Sequence, residues 1–216
     1  MKAVIITGAG GFLGIFTARH LASVGWKVIG VGDKTPPPDL LPLFSRFCQW
    51  PLPDCRFSDL VREIRPELCV HCAGYASVPG SFLNPEEDFT FGPSLTFNLL
   101  EQFRRYSPLT SFIFLSSAAV YGNPKTLPIN EHLDLQPTSP YGYHKMMAET
   151  ICEEYAILFG IRTAILRIFS AYGSGLRRQV VWDICKNMTQ CQELVLQGTG
   201  KESRDFVHAF DIALAI

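Results

Sequence analysis

Tyr141 and Lys145 stand four residues apart in the run Ser139-Pro140-Tyr141-Gly142-Tyr143-His144-Lys145. With the residues after Pro140 helical, as the continuation through Met146, Met147, Ala148 and Glu149 suggests, that spacing puts a phenol and an ammonium on one helix face. The ammonium favours the phenolate, so the tyrosine pKa is expected to fall from about 10 toward a range useful for proton transfer. Any amphipathic helix can carry Tyr and Lys four apart, and the pair gains weight only from what surrounds it.

The first surrounding element is Thr7-Gly8-Ala9-Gly10-Gly11-Phe12-Leu13-Gly14. A β-branched apolar run, Lys2 to Thr7, precedes it, and Leu13, Phe16, Leu21 and Val24 recur after it with helical spacing, which predicts strand, glycine turn and helix. Gly8 permits the tight turn, Gly11 lets the backbone approach a pyrophosphate, and Gly14 lets the helix pack closely. The backbone N–H groups of Phe12 and Leu13, at the helix start, are the donors such a pyrophosphate would meet. A second strand, Lys27 to Val31, runs out at Asp33. A carboxylate there accepts hydrogen bonds from an adenosine ribose and repels a 2′-phosphate, so NAD is expected over NADP, with Lys34 alongside weakening that preference.

Further strands are expected at Phe47 to Trp50, Leu68 to His71, Ser111 to Ser116 and Arg162 to Arg167. Helical stretches between them predict an α/β fold with a doubly wound parallel sheet and ligands at the carboxyl ends of the strands. The fourth strand empties into Ala73-Gly74, small enough for a cofactor to pass close to the backbone. The fifth is followed by Ser117, placed to hydrogen-bond a substrate oxygen also held by Tyr141.

Composition excludes other classes. The chain of 216 residues carries 19 basic and 20 acidic side chains with no basic block, which leaves no footprint for a nucleic-acid partner. No apolar run approaches the roughly 18 to 20 residues that span a bilayer, and no cleavable leader follows Met1-Lys2. Seven cysteines at irregular spacing suit reduced thiols, and a cytoplasmic protein is expected. Cys69 and Cys72 would point to opposite faces of a strand, so they are assigned to the core and no metal site is expected. His71 reads as a satisfied core residue, His144 as solvated, Arg177-Arg178 as a solvated pair, and Phe89, Phe91 and Phe97 as helix packing.

The glycine turn, Asp33, Ser117, Tyr141 and Lys145, in that order, are the residues by which the chain resembles the extended short-chain dehydrogenase/reductase family, and within it the nucleotide-sugar epimerase/dehydratase branch. The segments Val70 to Gly74, Asn98 to Glu101, Leu166 to Gly173 and Arg204 to His208 agree with that branch. The resemblance implies a Rossmann domain over residues 1–175 and NAD as cofactor. Tyr141 would be the acid/base, Lys145 would bind the nicotinamide ribose, and Ser117 would polarise the reacting oxygen. It also places Ser170 and Arg204 beside the substrate phosphates, and implies a homodimer.

Ala118-Ala119 follow Ser117 where the branch's dehydratases carry acidic residues, and methyl groups cannot move protons. Dehydration is therefore disfavoured, and the Ser-Ser-Ala run resembles that of UDP-glucose 4-epimerases, which implies epimerisation of a UDP-hexose at its 4-position. A nucleotide-sugar reductase, or a cofactor-binding sensor or scaffold without catalysis, are the alternatives. Gly92 stands where the family has an asparagine, Ser170 replaces a second one, and Pro51 an acidic residue. Family members continue for roughly another hundred residues beyond Ile216, so residues 176–216 are expected to form part of a substrate lobe, with a helix beginning at Asp211.

Overall fold

The structure is a computed structural model that describes residues 2–190, 199–200 and 203–216. In chain order its elements are β1 (Ala3–Thr7), α1 (Phe12–Ser23), β2 (Lys27–Gly32), a 3-10 helix (Pro38–Leu43), β3 (Arg46–Gln49), α2 (Arg56–Ile64), β4 (Leu68–His71), α3 (Val78–Leu83), α4 (Pro85–Phe89), a π-helical turn (Thr90–Ser94), α5 (Leu95–Tyr106), β5 (Ser111–Ser117), a 3-10 turn (Ala118–Tyr121), α6 (Pro140–Phe159), β6 (Thr163–Ile168), β7 (Ser170–Tyr172), α7 (Gln179–Thr189), β8 (Phe206–His208) and α8 (Ala209–Ala215). Six strands form one sheet in the order β3-β2-β1-β4-β5-β6, and its pairings are all parallel.

Period-two alternation explains why both faces of this sheet are dry. In β1, Ile5 faces the layer made by α2, α5 and α6, where it packs with Phe57, Phe103, Phe112, Phe114 and Tyr155. Its neighbours Val4 and Ile6 face α1, with Ala18, Leu21, Val28 and Val70. Parallel strands covered on both sides need apolar residues at consecutive positions, which is what β1, β2 and β4 carry.

The strand order reverses between β1 and β4, and the crevice at their carboxyl ends is where such a sheet binds ligands. The fold thus matches the expected doubly wound sheet. Several bounds differ by a residue or two, as element ends do. The final helix starts at Ala209 and not at Asp211, because the His208 side chain caps it by accepting from Phe210 N at 3.2 Å.

The feature that has no counterpart in the sequence reading is a second, two-stranded parallel sheet joining β7 to β8, with Ser170 opposite Phe206 and Tyr172 opposite His208. Beyond it α8 buries Ala209 and Ala213 against Phe16 of α1. The expected division at residue 176 therefore groups two parts that pack differently. No residue of α7 is buried, whereas α8 packs on α1 of the main body.

Candidate active site

The glycine turn holds its shape through backbone contacts that leave no room for side chains. Gly8 has φ +65°, and a Cβ there would stand 2.6 Å from Ala73 N, so only glycine lets the β1 turn lie against the end of β4. Ala9 N donates to Val31 O at 3.2 Å and Gly11 N to Gly8 O at 2.9 Å. No side chain caps α1, whose first N–H groups open past Gly11 toward the crevice. Uncapped donors at a helix N-terminus are an anion site, and the turn fits the pyrophosphate of a dinucleotide. Gly10, passed over in the sequence reading, is as constrained as Gly8, since its Cβ would fall 1.8 Å from Lys34 O.

Asp33 follows the last residue of β2 and is exposed. Across the crevice Tyr75, just beyond Ala73 and Gly74, donates to Glu87 Oε1 at 2.9 Å and sets its ring edge-on to Phe91 at 5.1 Å. At the base of the crevice His71 is 1% exposed, with Nδ1 and Thr7 Oγ1 2.7 Å apart. The expectation of a satisfied core residue holds for only one of its nitrogens, because Nε2 is buried without a partner. Burial and the nearby Lys145 hold the ring neutral, with its pKa down to about 3. Among the described residues no group of three His, Cys, Asp or Glu side chains is placed to hold a metal ion.

Ser117 and Tyr141 are brought together by the start of α6. Ser139 caps that helix, accepting from Gly142 N at 3.1 Å, and Pro140 occupies its first position. Tyr141 N donates to the Oγ of Ser81, itself 1% exposed, at 3.0 Å. Gly142 has no Cβ because one would lie 2.6 Å from Ala119 O. The first turn of α6 therefore sits directly on the 3-10 turn that Ser117 opens by accepting from Ala119 N at 3.2 Å. Gly142→Ala is expected to push these two turns apart, destabilising the fold by about 1–3 kcal/mol. It should also cut turnover on the order of a hundredfold, since roughly 1 Å of misplacement costs that much. A melting curve and steady-state rates on one preparation measure both.

Lys145 Nζ donates to Leu115 O at 2.8 Å and lies 4.6 Å from the centre of the Phe114 ring. It is 5.9 Å from the centre of the Tyr141 ring. The expected lowering of the tyrosine pKa is not what this geometry produces. Burial raises Tyr141 above its usual value, against the opposing pull of the Ser117 hydroxyl, and Asp88 raises it further while Arg178 lowers it. Desolvation likewise brings Lys145 down to about 8. A spacing of i to i+4 fixes a shared face but not the dielectric around it, and here burial outweighs proximity.

His144 is not solvated either. Its Nδ1 lies 2.5 Å from Asp88 Oδ2, with 14% and 6% of the two side chains exposed. Arg178, expected to be solvated, is exposed but reaches the loop after β4, where Nη1 donates to Ala76 O at 2.7 Å. Phe89 and Phe97, assigned to helix packing, are 45% and 46% exposed, so each leaves about half its surface uncovered.

Behind the catalytic candidates lies a buried network. Glu149 accepts from Arg167 Nε at 3.1 Å and Nη2 at 2.7 Å, and from Ser116 Oγ at 2.5 Å. Arg167 Nη1 continues to Tyr121 Oη at 2.9 Å and Glu131 O at 3.0 Å. It ties β5, α6 and β6 together beside Ser117. The sequence reading missed it, although Glu149 lies one helical turn beyond Lys145 on the same face. Ser170 opens β7, where its N donates to Asp205 O at 3.0 Å, and Arg204, just before β8, is exposed. A cavity of about 700 Å³ opens at the opposite, amino edge of the sheet among Trp26, Glu67, Tyr106 and Arg162, and holds none of these residues.

Comparison with known proteins gives a consistent picture. The family model described as the NAD dependent epimerase/dehydratase family matches residues 4–216. A putative UDP-glucose 4-epimerase of Methanocaldococcus jannaschii is 31% identical over 225 residues, covering 98% of this chain and 71% of that protein. Among solved structures, UDP-glucose 4-epimerase of Thermotoga maritima with UDP-glucose superposes with a TM-score of 0.91 at 28% identity, over 99% of this chain and 72% of the other. UDP-glucuronic acid 4-epimerase of Bacillus cereus, in complex with UDP-glucuronic acid and NAD, gives 0.89 at 27%, over 98% and 71%.

Proposed function

Because this chain belongs to the NAD-dependent epimerase/dehydratase family, we propose that it is a nucleotide-sugar epimerase that inverts one hexose carbon, the 4-position of a UDP-hexose, with Tyr141 as the acid/base. The observation that carries this reading is the packing of the first turn of α6 on the Ser117 turn, which holds two hydroxyls over the crevice with Lys145 behind them. The residues that would hold NAD are Gly8, Gly11, Phe12, Leu13 and Gly14 at the pyrophosphate, Asp33 at the adenosine ribose, Ala73 and Gly74 along the backbone, and Tyr141 and Lys145 at the nicotinamide ribose. When bound, NAD accepts a hydride from the sugar carbon and returns it.

The chain's own residues handle the proton. Tyr141 Oη takes the sugar hydroxyl proton as the carbonyl forms and gives it back when the carbonyl is reduced. Ser117 Oγ donates to the same oxygen and orients it. The Lys145 ammonium, fixed by Leu115 O, stabilises the phenolate that exists before the first transfer and is regenerated by the second. Methyl groups at Ala118 and Ala119 offer no acid or base for eliminating water. We assign Ser170 and Arg204 to the sugar-nucleotide phosphates, and α7 to the lobe that covers them.

The ammonium sets a pH limit. It is present below about pH 8 and lost as pH rises through that value, so turnover should fall along an alkaline limb centred near 8. Stability responds in the opposite sense. Between about 8 and the ordinary value of 10.5 the unfolded chain holds a proton that the folded one does not, so the penalty for burying the charge is relieved as pH rises.

The deciding experiment incubates the protein with UDP-glucose, UDP-galactose and their N-acetyl counterparts, with and without NAD. Interconversion supports the epimerase. Net conversion of NAD to its reduced form, with oxidised sugar accumulating, would replace it with a nucleotide-sugar dehydrogenase or reductase. Binding of NAD without turnover of any of the four sugars would overturn both.

A further inference from the structure

His144 and Asp88 come from segments 56 residues apart, yet their side chains meet on the helix that carries Tyr141 and Lys145. His144 is three residues past Tyr141 and immediately before Lys145, so all three project from one side of α6. Asp88 lies on α4, next to the π-helical turn. Its carboxylate is 6% exposed and faces His144 Nδ1 at 2.5 Å. A carboxylate only accepts, so the proton between them belongs to Nδ1. Phe89 stands edge-on to the imidazole at 5.5 Å, and Gly92, in the π-turn, leaves the space that a side chain would take 3.7 Å from His144 Cβ.

The charges around Lys145 single out Asp88. From the elements packed on it, the ammonium is faced by Asp88 on α4, Cys72 at the end of β4, and Glu149 and Cys152 on α6, with neutral His71 beneath. Burial holds both thiols up at about 12, so they are uncharged at neutral pH. Arg167 is paired with Glu149 through two nitrogens. Among the described residues Asp88 is left as the facing carboxylate without a lysine or arginine in an ion pair, its side-chain partner being His144 Nδ1.

We propose that Asp88 and His144 form a positioning pair for Tyr141 and Lys145. The carboxylate locks the imidazole through Nδ1, pins the π-turn to α6, and provides the counter-charge to the Lys145 ammonium. The proposal rests on the reading of Tyr141 and Lys145 as the reacting pair, and it puts no part of the substrate on either residue. Its counter-charge opposes part of the desolvation that would otherwise strip the proton from Lys145.

The test is a titration of the whole chain, labelled at lysine 13Cε and histidine 15N. In the unaltered protein His144 should show a protonated Nδ1 in a long-range 1H–15N spectrum. Asp88→Asn, which keeps the shape and removes the charge, should move the Lys145 midpoint to lower pH. His144→Asn, whose amide nitrogen replaces Nδ1 as donor, should leave that midpoint near its original place. An unprotonated Nδ1, or a folded Asp88→Asn protein whose Lys145 midpoint does not move, overturns the proposal. Should Asp88→Asn fail to fold, Asp88→Ser, which also removes the charge, is titrated in its place, and an unmoved Lys145 midpoint overturns the proposal. A purely structural pair would leave the Lys145 midpoint alone. None of these readings needs sugar turnover, so the absence of interconversion would sink the epimerase and leave the pair standing or falling on its own.

Discussion

Tyr141→Phe is expected to lower sugar interconversion by about 10²–10⁴-fold while the protein still binds NAD. Only the hydroxyl is removed. The ring remains, and Tyr141 N keeps its bond to Ser81 Oγ. Because burial raises the phenol's pKa in the absence of ligand, the proton must leave against desolvation, with Ser117 and the cofactor-loaded site helping it go. Losing the group should therefore appear in kcat more than in KM, which is the pattern of an interaction made in the transition state. Initial rates at saturating sugar, together with the shift in melting temperature that NAD produces, separate the two effects. Retained interconversion would remove Tyr141 from the acid/base role.

The second large effect is on stability. Arg167→Met should cost about 3–5 kcal/mol, because it leaves the Glu149 carboxylate, 2% exposed, without its cation. That is a large share of the roughly 5–15 kcal/mol by which a domain is stable, so the variant should melt well below the unaltered protein. Pairing it with Glu149→Gln removes the stranded charge and should recover part of the loss. Denaturant melts of the two single variants and the double give the coupling energy, and additive losses would show that the network is not cooperative. Ser116 adjoins Ser117, so the recovered double variant should also show whether the network aligns the site.

What was legible in the sequence was whatever local pattern determines. Apolar runs ending in Gly8 and Ala73, and helical spacing after Phe12, suffice for the sheet and its ligand edge. Interactions across long separations were not legible. Nothing in the local pattern around His144 shows that Asp88 will stand beside it, and the π-turn after α4 contains a Gly-Pro pair that reads as a simple interruption. The raised pKa of Tyr141 depends on burial, which spacing does not report. Three-residue strands such as β7 and β8 are too short to show a period. The cap on α8 is a histidine, outside the usual capping residues, which hid its first turn.

The pairing of β7 with β8 means that the polypeptide leaves the body after Tyr172 and returns to the same place at Phe206. Closing such an excursion costs only about 0.6 kcal/mol more for each doubling of its length. Insertion, deletion or exchange between those two strands should therefore cost the body little. A graft there should transplant sugar preference, with the Tyr141 chemistry left in place.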